Sequence, residues 1–519
     1  ETGDPSKILN SLKLDQALVL AKKKVYENHT EEAKRIYQEI IVKFPGNKKA
    51  SEGLKSLSSD SISKASKAQD PSQNQQELLI NLYNQGQFQL ALKKTKALLK
   101  QFPNSSVLYN ICGTIYLDLG QLDASVKSYN KALSIKPDYA DAYYNIGTAL
   151  QEQGKLDEAV EAYNKSLVIK LDHPDAYNNI GTALQELGKL DEAVEAYSKA
   201  LAIKPDYAEA FYNMGNALAD QGKLEAAKEA YNKALAIKPD HAKSRAQKLF
   251  QQALACNWDS FTEDLNLIPE LGTSKNYVSP FLILPLEDAP GRQLTRSEIY
   301  AKAMYPQQVL PLKVRPSKRP NRIRIGYFST DFKEHPVAYL IAKVLKQHNR
   351  DQFKVFGYSV RGASSCEMRQ RLKKSFDSFK DVKNMSDRDI AQLARQDEID
   401  IAVDLNGYTK YARPGIFAYR AAPIQINYLG YPGTVGSNFM DYIIADRFII
   451  PVENQKYFSE KQLYLPNTYL PTDDSRELSK KKITRRGMGL PDDAFVFCCF
   501  NNNYKISPIE FDIWMRLLT

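Results

Sequence analysis

The sequence predicts two joined architectures: an all-α superhelix of paired helices, then an α/β lobe built on an open parallel sheet. Three observations carry this. Gly113, Gly147, Gly181 and Gly215 recur every 34 residues, in step with Gly120, Gly154, Gly188 and Gly222 and with Tyr129, Tyr163, Tyr197 and Tyr231. From Arg322 the period is gone, and short apolar strands alternate with helical stretches. Charge divides at the same place. Residues 106–240 hold 13 Lys and no Arg against 20 Asp and Glu, whereas residues 322–519 hold 30 Lys and Arg against 23 Asp and Glu. A fixed period of this length marks stacked supersecondary units. Alternating strand and helix marks a parallel sheet covered on both faces.

In chain order, residues 1–50 read as N-terminal helices with a degenerate repeat that keeps Ala33, Tyr37 and Pro45. Residues 51–76, rich in Ser, Lys and Gln, read as a polar linker or a solvated helix. Residues 77–242 are the repeats, beginning with a weak unit that keeps Gly86, Ala91 and Pro103. In a full unit, Tyr143, Ile146, Gly147 and Leu150 fall on one face of a first helix. Gly154 ends that helix, since a left-handed terminus costs glycine least. Asp157 opens the second helix, with Ala159, Val160 and Tyr163 on its apolar face. Proline stops the second helix at 103, 137, 205 and 239, with Leu171 replacing one. This is the tetratricopeptide pattern, whose first helices line a concave groove.

Asn145, Asn179 and Asn213 occupy one position in three successive first helices, and Ile111 breaks the series. Asparagine offers both donor and acceptor, so this ladder could clamp the backbone of an extended polypeptide without reading its side chains. Asparagine is also a common packing residue at that position.

Residues 243–321 form a helical connector that ends in a proline-rich basic stretch, read as a solvated linker into a new domain. Residues 322–480 are the α/β lobe. Strands are predicted at 322–328, 353–359, 400–405, 424–429, 441–446 and, beyond the lobe, 495–500, with helices near 337–347, 365–375, 386–396 and 412–420. Ligands of open parallel sheets bind outside the carboxyl ends of the strands. The segments that follow the strands are Ser329–His335, Asn406–Thr409, Gly430–Thr434 and Asn501–Lys505. They are rich in glycine, amide, hydroxyl and ionisable groups and should converge on one crevice. His335, before Pro336, could exchange a proton or hydrogen-bond a hydroxyl, or simply sit at a helix start. Lys505, ahead of Ser507-Pro508, suits a phosphate at a helix N-terminus.

Composition excludes several classes. At about 150 residues per domain, 519 residues make three or four domains. Hydrophobic residues are 43% and charged residues 25%, as in ordinary globular chains. No apolar run approaches the roughly 18 residues of a spanning helix. Cys112, Cys256, Cys366, Cys498 and Cys499 lack C-x-x-C spacing, against a disulfide scaffold or zinc site and in keeping with a cytoplasmic location. The most regular element is acidic, so no nucleic acid is expected. The basic C-terminal region suits a smaller anion. No phosphate-binding glycine motif and no metal-binding motif is present.

GYFSTDFKEHP (326–336), DLNGYTKYARPGIFAYRAAPIQINYLGYPGT (404–434), FMDYIIAD (439–446) and CCFNNNYKISP (499–508), behind tetratricopeptide repeats, closely resemble the protein O-linked N-acetylglucosamine transferases, above all the bacterial ones. The resemblance implies the tetratricopeptide superhelix and, after it, a Rossmann-like lobe that is the N-terminal half of a GT-B glycosyltransferase. It implies inverting transfer of GlcNAc from UDP-GlcNAc to Ser or Thr hydroxyls, with no metal and no cofactor. His335 matches the family's active-site histidine, and Leu429 and Gly430 match the loop that approaches the sugar. Lys505 matches the lysine on the leaving diphosphate, with Tyr504 its neighbour, and Asn502 stands where animal enzymes carry glutamine. Asn145, Asn179 and Asn213 match the ladder that holds the acceptor polypeptide. Expected partners are acceptor polypeptides and a nucleotide sugar, with no membrane and, as one assembly, a homodimer through the repeats.

The chain stops at Thr519, within the first strand and helix of a second lobe at 490–519. It is therefore expected to be truncated and to lack appreciable transferase activity by itself. Two other readings stand beside this one: a catalytically silent protein-binding scaffold, and a protein O-fucosyltransferase that uses GDP-fucose.

Overall fold

The computed structural model describes residues 14–26, 29–44, 46–58, 70–258, 265–274, 276–306, 321–362, 365–475 and 482–518. Residues 59–69 of the expected linker (51–76) and 307–320 of the proline-rich basic stretch lie outside the described residues; the linker's two flanks, 51–58 and 73–76, are helical. The chain forms two compact units, residues 1–81 with 96–105, and residues 82–95 with 106–519.

The first unit contains α1 (Leu14–Tyr26), α2 (Thr30–Lys43) and α3 (Lys48–Ser58). Their core is Ala17, Leu18, Ala21, Ile36, Tyr37, Ile40 and Ala50. The boundary expected at residue 50 falls inside α3, whose first turns carry the buried Ala50. The division between units runs through α4 (Gln73–Asn84) and α5 (Phe88–Gln101).

The second unit opens with four regular helix pairs: α6 (Ser106–Asp118) and α7 (Leu122–Ile135), α8 (Ala140–Glu152) and α9 (Leu156–Ile169), α10 (Pro174–Glu186) and α11 (Leu190–Ile203), α12 (Ala208–Asp220) and α13 (Leu224–Ile237). A further first helix, α14 (Ala242–Leu254), carries the repeat beyond the expected boundary at 242. The period has a steric cause. Tyr129, Tyr163, Tyr197 and Tyr231 are fully buried, each lying against the glycine of its own first helix. A Cβ at Gly147 would lie 2.6 Å from the Tyr163 ring, so only glycine admits the tyrosine. A buried tyrosine needs a partner for its hydroxyl. Tyr129, Tyr163 and Tyr197 donate to Thr114, Thr148 and Thr182 at 3.1, 3.3 and 3.3 Å, and Tyr231 donates to Asn216 Oδ1 at 2.9 Å. Gly154 has φ +76°, the left-handed terminus expected of it. Leu171 shows that proline is not essential for the second stop. Lys170 before it is extended, at φ −131°, and Pro174 already occupies the first turn of α10.

Among its described residues the connector has a single-turn helix, α15 (Pro280–Ile283), and a longer one, α16 (Pro290–Met304), pinned by the buried Arg296. Its guanidinium donates to the carbonyls of Leu271 (2.6 Å) and Ile268 (3.2 Å) and pairs with Glu287.

The lobe then runs β1 (Ile323–Ser329), α17 (Pro336–Gln347), β2 (Phe353–Ser359), α18 (Glu367–Lys373), β3 (Ser378–Asp381), α19 (Asp387–Gln396), β4 (Ile401–Asp404), α20 (Gly415–Ala418), β5 (Ile424–Asn427), β6 (Tyr442–Ala445) and β7 (Lys461–Tyr464). All neighbouring strands are parallel, in the order β3-β2-β1-β4-β5-β6-β7. One face is filled by Phe328, Tyr358, Ile390, Ala394 and Phe417, the other by Ile325, Val337, Ile341, Leu345, Val355 and Val403. Both faces are therefore covered, as a parallel sheet requires. The outermost strands, β3 and β7, escaped the sequence because an edge strand need not be apolar: SFKD and KQLY are only partly buried.

The predicted strand 495–500 does not form. Among the described residues nothing pairs with it, and Phe495, Phe497 and Phe500 are exposed. An apolar run becomes a strand only where a neighbour takes its backbone hydrogen bonds. The chain ends in α21 (Pro508–Leu518).

Candidate functional site

The strand order reverses direction between β1 and β4, the switch point beside which open parallel sheets bind their ligands. Asn406, after β4, bridges the loops that follow these two strands. Its Oδ1 accepts the Thr330 N–H at 2.8 Å, and its Nδ2 donates to Asp331 Oδ2 at 2.6 Å. Asp331 Oδ2 lies 3.7 Å from His335 Nδ1.

His335 caps α17 in an extended conformation, its Nδ1 accepting the Val337 N–H at 3.3 Å. A neutral ring that accepts at Nδ1 carries its proton on Nε2. The imidazole is more than a third exposed, with its side-chain surface 38% accessible. Local sequence explains the placement, since Pro336 at the first helical position fixes the turn and cannot itself compete for the cap.

Asp404, the last residue of β4, turns its carboxylate back on its own loop. It accepts the N–H groups of Asn406 (2.9 Å) and Gly407 (3.1 Å). Burial drives its pKa up to about 7, against the pull of those two donors.

The loop after β5 packs onto the loop after β4. A Cβ on Gly430 would lie 2.0 Å from the Leu405 carbonyl oxygen, so the close approach excludes any side chain. Leu429 beside it is buried yet left-handed, at φ +76°, and Tyr411 in the neighbouring loop is left-handed at φ +65°. Such non-glycine conformations cost energy and collect at functional sites.

The repeats meet the lobe through side chains. Arg388 donates to the Gly120 carbonyl at 3.0 Å. Asp220, at the end of α12, receives Lys410, Tyr411 (3.2 Å) and Gln185 (3.0 Å). The ends of the first helices hold Asp118, Glu152, Glu186 and Asp220. Burial, aided by Asp118, raises the Glu152 carboxyl to about 7.

The structure thus gathers His335, Leu429 and Gly430 at the carboxyl ends of β1 and β5. Asn502, Tyr504 and Lys505 lie elsewhere, on a short 3-10 turn against the last repeat helix. Tyr504 packs on Phe250 (5.1 Å between centroids) and Phe281 (6.3 Å), and Lys505 is exposed. Among the described residues no hydrogen bond or ring contact joins these three to His335 or Gly430.

The asparagine ladder is half-buried, and each amide is tied to the preceding repeat. Asn145 donates to Asn110 (3.1 Å), Asn179 to the Tyr144 hydroxyl (3.0 Å) and Asn213 to Asn178 (3.1 Å). The roles of Asn406 and Asp331 were not singled out from sequence. The available signal was Asp404-Leu405-Asn406-Gly407, an Asx-type turn directly after a strand. Among the described residues no group of three or more His, Cys, Asp or Glu could hold a metal ion, and no helix is long and apolar enough to cross a membrane.

Residues 302–483 and 475–519 match glycosyl transferase family 41. Residues 113–154, 147–188, 183–222 and 208–241 match tetratricopeptide repeats. A probable UDP-N-acetylglucosamine–peptide N-acetylglucosaminyltransferase, SEC, of Arabidopsis thaliana is 41% identical over 202 residues, which is 38% of this chain and 21% of that protein. The UDP-N-acetylglucosamine–peptide N-acetylglucosaminyltransferase of Caenorhabditis elegans is 36% identical over 192 residues, 36% of this chain and 16% of that one. The matched region is about a fifth of these relatives' length. A solved O-GlcNAc transferase mutant of Thermobaculum terrenum aligns over 73% of this chain and 66% of its own, with 25% identity and a TM-score of 0.47. Behind its tetratricopeptide repeats, this chain matches the glycosyl transferase family 41 model from residue 302 onward.

Proposed function

We propose that the chain forms the acceptor-side half of a protein glycosyltransferase that moves GlcNAc from UDP-GlcNAc to Ser or Thr hydroxyls with inversion. One observation supports the reading: in the segment that matches family 41, His335 stands in the loop directly after β1, its Nδ1 accepting the Val337 N–H and its ring more than a third exposed. The names of the relatives supply the donor.

In this reading, the acceptor polypeptide lies along the first-helix face that carries Asn145, Asn179 and Asn213, and its hydroxyl reaches the crevice. Binding along the repeats supplies orientation at a distance from the reacting carbon. With its proton on Nε2, His335 donates a hydrogen bond into the crevice. Its role there is to hold the acceptor or the sugar, and it takes a proton only if the ring turns over. Leu429 and Gly430 set the floor on which the sugar rests. Negative charge grows on the diphosphate as the anomeric bond breaks, and Lys505 with Asn502 and Tyr504 would stabilise it more in the transition state than in the ground state. That role requires the Asn502–Lys505 segment to approach the crevice.

The assay uses the complete product of the gene that encodes the chain, since the matched region is a fifth of the relatives' length. Acceptor proteins are incubated with UDP-GlcNAc or GDP-fucose and analysed by intact mass and site mapping. N-acetylhexosamine on Ser or Thr, lost in His335→Ala, supports the reading. Fucose transfer, or no transfer to any polypeptide, sinks it.

A further inference from the structure

Between the last repeats and the loop after β4 lies a cavity of about 420 Å³. Pockets of this size hold specific ligands. Its position is informative. Gln247 on the repeat wall stands 34 residues after Asn213, so it is the next rung of the ladder Asn145, Asn179, Asn213. On the opposite wall, Tyr408 follows by two residues the Asn406 that holds the His335 loop. The cavity therefore lies between the end of the ladder and the loop after β4, the loop that also carries Asn406.

Its chemistry is also specific. The wall is rich in rings, with Tyr300 and Tyr305 from the connector facing Tyr408 and Phe250. Tyr300 meets Tyr408 edge-on at 5.0 Å, and Tyr305 lies parallel to Tyr408 at 6.4 Å. The polar tips of the lining tyrosines are largely occupied: Tyr408 donates to the Val435 carbonyl at 2.6 Å, and Tyr411 donates to Asp220. The charge of Asp220 is met by Lys410. Beside the ring faces and edges the lining offers uncharged polar groups, among them Gln247 and the Gln251 amide oxygen, which has no hydrogen-bond partner among the described residues, so the cavity favours a large aromatic or apolar group over a charged one.

We propose that this cavity receives one aromatic or long aliphatic side chain of the acceptor polypeptide, at a fixed spacing from the hydroxyl that reacts. The inference rests on the reading of the first-helix face as the acceptor groove. It adds sequence selectivity to a ladder that by itself would bind any backbone.

A random peptide library is selected on the protein, and the enriched peptides are measured by fluorescence anisotropy. The enriched peptides should share one aromatic, Leu or Met position, and alanine there should weaken binding at least about tenfold. Ala219→Trp and Ala412→Trp fill the cavity from opposite walls without removing a side-chain hydrogen bond, and each should weaken the same peptides by a similar factor. Peptides that bind, that Asn179→Ala weakens, and that ignore both tryptophans and the anchor position overturn the inference while the groove stands. Should both tryptophan variants fail to fold, the alanine scan of the peptides on the wild-type protein decides alone. A lack of any peptide binding overturns the groove and the inference together.

Discussion

Asn406 reaches Asp331 over 2.6 Å from the far side of the point where the strand order turns, and so fixes the segment that carries His335. The same amide accepts the Thr330 N–H, so neither half of the bridge can be lost without freeing the other. Asn406→Ala should reduce transfer at least about tenfold, in line with the loss of two buried hydrogen bonds. Asn406→Asp should be worse, because it sets two carboxylates against each other. Nitrogen-15 shifts of the His335 ring separate this positioning role from simple destabilisation. The wild-type protein should show the Nε2–H tautomer, and Asn406→Ala a mixture. An unchanged ring spectrum in a folded Asn406→Ala protein refutes the relay.

Asp404 makes stability depend on pH. Its pKa is raised to about 7 by burial. Between its unfolded value near 4 and that value the native state holds more protons than the unfolded one, so stability falls as pH rises through this window. The full slope of one such group is about 1.4 kcal/mol per pH unit. Urea melts of wild type and Asp404→Asn at several pH values cancel the contributions of other groups. The advantage of the wild type should shrink steadily between pH 5 and 7 and level off above. A constant difference across that range contradicts the assignment.

Gly430→Ala drives a methyl group into the Leu405 carbonyl. Backbone cannot swing aside as a flexible side chain can, so the loops after β4 and β5 must separate. We expect a loss of about 2–3 kcal/mol and a fall in activity larger than the stability loss explains. Thermal unfolding and steady-state kinetics of the same preparation test both parts. A variant with native stability and activity would show that the two loops are not clamped together.

Gly147→Ala presses on the Tyr163 ring from 2.6 Å and should cost about 1–3 kcal/mol. Tyr163→Leu removes the obstructing ring, so the double variant should be less unstable than the sum of the singles. Strict additivity in a denaturant-melt cycle would mean that this contact does not set the period.

The sequence was most legible where spacing repeats. The tyrosine-glycine clash recurs every 34 residues, and each turn glycine takes up its left-handed conformation, so helix pairs α6 to α13 follow from pattern alone. The central strands were legible because burial on both faces leaves them mostly apolar. The polar edges β3 and β7 were not, and Phe495–Phe500 shows the opposite error, apolar residues with no neighbour to pair with. His335 and Gly430 were singled out by their place after strands and Leu429 by resemblance alone, and all three lie in the loops after β1 and β5. The bridge from Asn406 to Asp331 was hidden because its partners are 75 residues apart, joined only by the crossover of the sheet. Asn145, Asn179 and Asn213 were correctly placed in one row, but their bonds to the preceding repeat depend on stacking that no single unit encodes.

Those stacking bonds use only part of each side chain. The amide nitrogens of Asn145, Asn179 and Asn213 each give one hydrogen to the preceding repeat and keep a second, so a guest can be gripped while the repeats stay fastened to one another. The superhelix is then a ruler rather than a spring: its rungs keep their pitch whether or not a chain lies across them.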